Sequence, residues 1–205
     1  VAPKVGDEDP KKLVPTNRLE LITELNGLSH DNAHDALSDV NATIAVAKLI
    51  KDKQPKMFDY LLSMRNKKEV AKLVDPDEPV PYLYTSGRYS NQHLKTTAVC
   101  SISSLEHGNV LVYDLSVNPN DFINQSDQEL TQTLFNRDSE TEKLIVKVLK
   151  PNACPAVAPL GVLDEDAEEN IGLKKSQLIL NFQDLMKKPE FLERIIQLHD
   201  KQTQD

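Results

Sequence analysis

The chain is 205 residues long, carries a formal net charge of −8 and is 39% hydrophobic, with two cysteines and no tryptophan. That composition suits one or two soluble domains. It excludes a helical membrane span, which needs roughly eighteen consecutive apolar residues, a disulfide-dense secreted scaffold, and a protein that grips nucleic acid over its whole surface, since phosphate binding relies on Lys and Arg.

Residues 1–12 are a Pro, Lys and Asp mixture without the apolar stretch of a signal peptide, so a cytoplasmic location and no membrane partner are expected. The start on Val1 instead of Met, followed by linker-like residues, points to an internal piece of a longer protein. Cys100 and Cys154 are too few and too far apart for a disulfide framework or a metal knuckle, and are expected to be small buried residues.

Asn17 followed by Glu20 has capping-box spacing, Leu19, Ile22 and Leu25 recur at helical intervals, and Gly27 supplies a stop. A second helix is predicted from near Asn32, with Asp35 as its N3 acid, through Leu37, Val40 and Ile44 to Lys51. Its many alanines suit close packing against a sheet. Pro55 opens a third helix, apolar at Phe58, Leu61 and Leu62, that ends in the basic residues Arg65, Lys67 and Lys68. Residues 48–72 hold eight basic side chains against three acidic ones. Such a patch on an acidic body is either a nucleic-acid track or a solvated helix face.

From Asp75 the texture changes, because Pro76, Pro79 and Pro81 break any helix and mark a boundary. Runs rich in Val, Ile, Tyr and Thr at 81–86, 96–103, 110–115 and 144–149 read as short strands of a small barrel. Helices are predicted at 126–135, 174–187 and 189–199.

His34 and Asp39 sit five residues apart, about 140° around an ideal helix, and share a face only if the imidazole swings back from the helix start. By spacing alone the pair reads as well as a capping His and an N-terminal acid. Taken with its neighbours, however, the segment His34-Asp35-Ala36 with Asp39-Val40 resembles the third motif of the DnaQ-like, DEDDh class of 3′→5′ exonucleases. Within that class, Asn17-Arg18-Leu19-Glu20-Leu21, Asn26-Gly27, His30, Phe58-Asp59-Tyr60-Leu61 and Arg65-Asn66-Lys67 are similar to the exonuclease I family. Beyond them, Thr85-Ser86-Gly87, residues 147–155 with Asn152 and Cys154-Pro155, and residues 163–172 resemble the SH3-like domain that follows in that family.

The resemblance implies an α+β fold: residues 1–54 as the C-terminal helices of a ribonuclease H-like nuclease domain, and residues 55–205 as an SH3-like small β-barrel domain with added helices. It further implies a monomer that degrades single-stranded DNA in repair and recombination, with His34 as general base and Asp39 as one ligand of a pair of Mg²⁺ ions. One carboxylate cannot hold that pair. The Asp-x-Glu motif belongs well over a hundred residues upstream of the His, and Asp127-Gln128-Glu129 and Asp166-Ala167-Glu168 have the spacing in the wrong, polar setting. The chain alone is therefore expected to be inactive.

For single-stranded DNA the expected contacts are Arg65, Lys67, Lys68, Arg88, Tyr89 and Lys95, combining charge with a ring for stacking. Tyr82 and Tyr84, on one face of a strand, fit either DNA contact or core. The family also binds the acidic tail of single-stranded DNA-binding protein, and Tyr60 matches a position in that pocket, although two further positions expected to be basic read Val80 and Met186. A non-catalytic module that recruits single-stranded DNA or a partner protein is the competing reading.

Overall fold

The computed structural model describes residues 4–5, 14–15, 18–29, 35–89, 91–135 and 146–204. Strands β1 (Lys4–Val5) and β2 (Val14–Pro15) form a two-residue antiparallel pair. Helix α1 (Leu19–Leu25) begins at Arg18, which makes no side-chain cap; Asn17 of the expected capping box lies outside the described residues. Its end follows the sequence reading. Gly27, at φ +63°, donates to the Glu24 carbonyl while Leu28 donates to that of Thr23, the paired bonds of a glycine-terminated helix.

Helix α2 (Ala36–Lys53) starts later than predicted, and Asp35 is its N-cap, not its N3 acid, accepting from the Ser38 N–H. Asn32 lies outside the described residues. The third predicted helix is two. Helix α3 (Pro55–Ser63) stops at Met64, and the Asn66 side chain caps a new helix, α4 (Lys67–Leu73), by accepting from the Lys68 N–H. An Asn ahead of two lysines and Glu69 is a start signal that the run of basic residues obscures.

Five strands follow in one antiparallel sheet: β3 (Tyr82–Thr85), β4 (Thr96–Ser104), β5 (Val110–Asp114), β6 (Val146–Leu149) and β7 (Ala156–Pro159), in spatial order β6-β5-β4-β3-β7. The first four match the predicted runs, except that Leu144 and Ile145 lie outside the described residues; β7, only four residues long, preceded by Pro155 and ending on Pro159, is not among those runs. Its pairing with β3 runs from Tyr82 opposite Pro159 to Thr85 opposite Ala156. A register shift between Ser101 and Ser103 leaves Ile102 as an extra residue in β4 against β5.

Alternate residues of these strands feed two cores. On one face Ala98, Cys100, Tyr113 and Leu115 pack with Leu130 of α5 (Asp127–Phe135), Leu178 and Leu185 of α7 (Lys175–Met186), and Phe191 and Ile195 of α8 (Pro189–Gln204). On the other, Tyr82, Val99, Val110, Val112 and Val157 pack with Tyr89 and with Val70 and Val74 at the end of α4. A short acidic helix, α6 (Glu165–Ile171), capped by Asp164 and stopped by Gly172, precedes α7. Mixed helix and antiparallel sheet give the expected α+β class.

The cysteine expectation is corrected in half. Cys100 is buried, and burial pushes its thiol up to about 12. Cys154 is exposed, at φ +48° in the left-handed turn that leads into β7.

Candidate nucleic-acid interface

Among the residues expected to carry chemistry, His34 lies outside the described residues. Asp39 stands in the first turn of α2, half-buried, with its N–H donating to the Asp35 carbonyl at 2.9 Å. Among the described residues no group of three or more His, Cys, Asp and Glu side chains is placed to hold a metal ion. A single carboxylate on α2 does not fit a two-metal centre by itself.

The basic residues fall into two groups. Lys67 and Lys68, on the first turn of α4, face a cleft of about 380 Å³ whose opposite wall is Ser104, His107 and the backbone around Gly108, with Asn152 at its side. Both lysines are exposed, as is Arg65 in the turn between α3 and α4. This cleft mixes the two ammonium groups, amides and a hydroxyl with the Asp75 carboxylate and the apolar Ala71 and Val74, so its charge favours an anion through the lysines and opposes one at Asp75. Sequence reading named the lysines but not the turn at 105–109 that faces them. That turn joins β4 to β5 as a reversal, and His107 at φ +60° followed by Gly108 at φ +71° lets the chain double back.

The second group surrounds Tyr89. Between β3 and β4 the chain forms a loop closed by the Ser86 N–H on the Lys95 carbonyl (2.9 Å) and the Tyr89 N–H on the Ser86 carbonyl (3.0 Å). Lys95 Nζ donates to the Tyr89 carbonyl at 2.8 Å. Lys147, from β6, donates Nζ to the Arg88 carbonyl at 2.7 Å and lies 4.1 Å from the centroid of the Tyr89 ring. Desolvation lowers the Lys147 ammonium below the usual lysine value, and neighbouring Arg88 and Lys95 push the same way against the opposing pull of Asp114. Arg88 itself is exposed. Lys147 is a member of this cluster that sequence reading missed, since an alternating strand such as Val-Lys-Val gives no sign of which loop its lysine reaches.

Tyr89 was expected to offer its ring to a base, and here the expectation meets a correction. The residue is 5% exposed, edge-on to Tyr84 at 5.5 Å between centroids and covered by Lys147. No open ring face is left for stacking, and burial raises its phenol above the usual tyrosine value. Tyr82 belongs to the core, its hydroxyl paired with Ser101 Oγ at 3.0 Å, and Tyr84 is half-buried beside it. Tyr60 on α3 is half-buried with its hydroxyl turned inward, where no described atom pairs with it, and burial raises its phenol as well. Val80 is exposed and Met186 packs at the margin of the helical core.

Comparison with known proteins identifies the family of the fold. The family model of the Exonuclease I SH3-like domain matches residues 65–201. Exodeoxyribonuclease I of Haemophilus influenzae is 32% identical over 198 residues, covering 93% of this chain and 42% of the relative. The chain therefore spans well under half the length of that curated relative. Escherichia coli exonuclease I in complex with a dA16 oligonucleotide superposes with a TM-score of 0.85 at 28% identity, over 96% of this chain and 42% of that one. A structure described as an ExoI/SSB-Ct complex gives a TM-score of 0.82 at 27% identity, over 95% and 42%. With two thirds of its length matched by the family model and its fold shared with solved members, the chain belongs to the exonuclease I family, in its SH3-like domain.

Proposed function

We propose that this chain is the single-strand-guiding part of a 3′→5′ exodeoxyribonuclease acting in DNA repair, and that it does not cleave DNA by itself. The observation that carries the reading is the fold match, over 96% of this chain, to an exonuclease I bound to a dA16 oligonucleotide. Residues 1–54 would contribute His34 as general base and Asp39 as one Mg²⁺ ligand to an active site whose remaining carboxylates the described residues do not supply. Residues 55–205 would form the wall along which the strand runs, with Arg65, Lys67, Lys68, Arg88 and Lys95 supplying charge. Single strands suit such a wall because a flexible backbone can follow a narrow cleft that a duplex is too wide and stiff to enter.

The partner reading follows the ExoI/SSB-Ct complex: an acidic tail peptide would dock near Tyr60. The inward hydroxyl means that such a peptide would meet Tyr60 through its ring and not through its OH group. Titrating a labelled acidic tail against the chain and its Tyr60→Ala variant decides between docking and packing, equal affinity meaning that the tyrosine only packs.

For DNA, the 205-residue chain is mixed with a labelled single strand and with a duplex of the same length, at low salt with Mg²⁺. The expected result is binding that prefers the single strand and leaves its length unchanged. Progressive shortening of the strand overturns the inactivity, and equal affinity for duplex overturns the guiding role.

A further inference from the structure

The loop between β3 and β4 carries Arg88 at its exposed tip; its own bonds run from Ser86 to Lys95, with a long one from the Arg88 N–H to Ser86 Oγ at 3.4 Å, and His93 Nδ1 meets the Ile171 carbonyl at 2.7 Å on the far side of the loop. At the tip, the bond from another strand is that of Lys147. Strands β3 and β6 are separated by β4 and β5 in the sheet, so a contact from β6 to the β3–β4 loop joins parts of the sheet that are not neighbours in it. Lys147 makes it twice, with a charge-assisted bond to the Arg88 carbonyl and its ammonium over the Tyr89 ring, whose own seat in the core fixes the next residue. A half-buried ammonium held in this way is spent on backbone and ring. Among the described residues, nothing pairs with the exposed guanidinium beside it.

We propose that Lys147 is a positioning residue, a latch that holds the Arg88 tip of the β3–β4 loop in place to meet a phosphate of the bound strand. This rests on the single-strand reading above and deepens it: affinity along this wall depends on a lysine that does not itself touch DNA. Preorganisation is the physical reason, since a loop already ordered gives up less freedom on binding.

The test combines hydrogen exchange with a double-mutant cycle in the 205-residue chain. Lys147→Met is expected to quicken exchange over residues 86–95 while leaving β5 protected, and to weaken binding of a labelled oligo(dT) about fivefold, the scale of a loop and one long side chain that must now be ordered at binding. Because the latch acts through Arg88, the same substitution placed on Arg88→Gln is expected to add less than about twofold. Additive losses, or unchanged exchange over 86–95 while wild type binds, overturn the latch and leave the single-strand reading standing. A wild-type chain that binds no oligonucleotide at low salt overturns that reading, and with it the purpose of the latch, even where loop exchange responds to Lys147. If the methionine variant loses β5 protection, Lys147→Thr, which suits a strand and is too short to reach the Arg88 carbonyl, carries the same cycle.

Discussion

The Thr97 hydroxyl donates to the Asp114 carboxylate at 2.6 Å, between two buried side chains on adjacent strands. The same oxygen accepts from the Ser116 N–H at 2.9 Å and the Ser116 hydroxyl at 2.7 Å, so one carboxylate closes β4, β5 and the turn after them. Thr97→Val keeps the shape and removes one of three donors. It is expected to lower unfolding free energy by about 2 kcal/mol, the range for a hydrogen bond to a charged group. Urea denaturation checks it, and an unshifted midpoint would mean that Ser116 alone satisfies the acid.

Alkaline pH is expected to unfold the chain through its buried phenols. Burial raises Tyr82, Tyr89 and Tyr113 above their ordinary value of 10, and the Cys100 thiol from 9 to about 12. Each fold-raised group contributes stability that is complete below its unfolded pKa and is lost as pH rises beyond it. The loss is about 1.4 kcal/mol per pH unit for each fully shifted group, beginning near 9 for the thiol and near 10 for the three phenols. Lys147, lowered in the fold, works in the opposite direction just below 10.5, and one half-buried lysine does not offset four buried acids. Absorbance at 295 nm should show these tyrosines ionising together with unfolding; independent ionisation in a folded chain would sink the account.

The two thiols are expected to separate cleanly. An exposed Cys154 reacts with a thiol-specific disulfide reagent in the native chain, whereas Cys100, buried within the sheet and with its pKa pushed up to about 12, does not until the chain is unfolded. Two fast equivalents in native buffer would contradict the packing of β4.

Arg194 fastens α8 to the start of α5. Its Nε and one terminal nitrogen donate to Asp127 Oδ1 at 3.0 and 2.9 Å, and that nitrogen also reaches the Gln125 carbonyl at 2.6 Å. A single ammonium cannot serve a fork of this kind. Arg194→Lys is therefore expected to cost about 1–2 kcal/mol, with thermal unfolding as the readout, and to resemble Arg194→Met more than wild type.

Lys67 and Lys68 are expected to act as phosphate contacts without sequence preference. The double substitution to Gln should flatten the slope of log affinity against log salt by about 1.4, at roughly 0.7 per contact on a single strand. An unchanged slope would place the strand elsewhere than the α4 cleft.

Much of this arrangement is legible in the residue order, and the exceptions share a cause. Pro55, Gly27 and the alternating Val, Ile and Tyr runs announce elements by local rules, and the structure follows them to within a residue or two. Helix α4 and strand β7 are short, and their signals, one Asn cap and three residues between prolines, count only once neighbours pack on them. Tyr89 reads as a stacking ring because an aromatic beside Arg88 looks exposed. Its burial involves Tyr84 and Lys147, the latter 58 residues further on and on a strand that is not a neighbour of β3. The basic groups were visible in composition, while their facing walls, such as the turn at His107, depend on register.

The extra residue at Ile102 has an effect beyond local pairing. Strand β4 is nine residues long, and a straight ribbon of that length would carry its far end away from the body of the sheet. By bending there, it delivers Ser104 and the reversal at 105–109 opposite the lysines of α4. The wall that faces Lys67 and Lys68 thus depends on a single inserted amino acid, and excising Ile102 is expected to shift Ser104 and the reversal relative to those lysines.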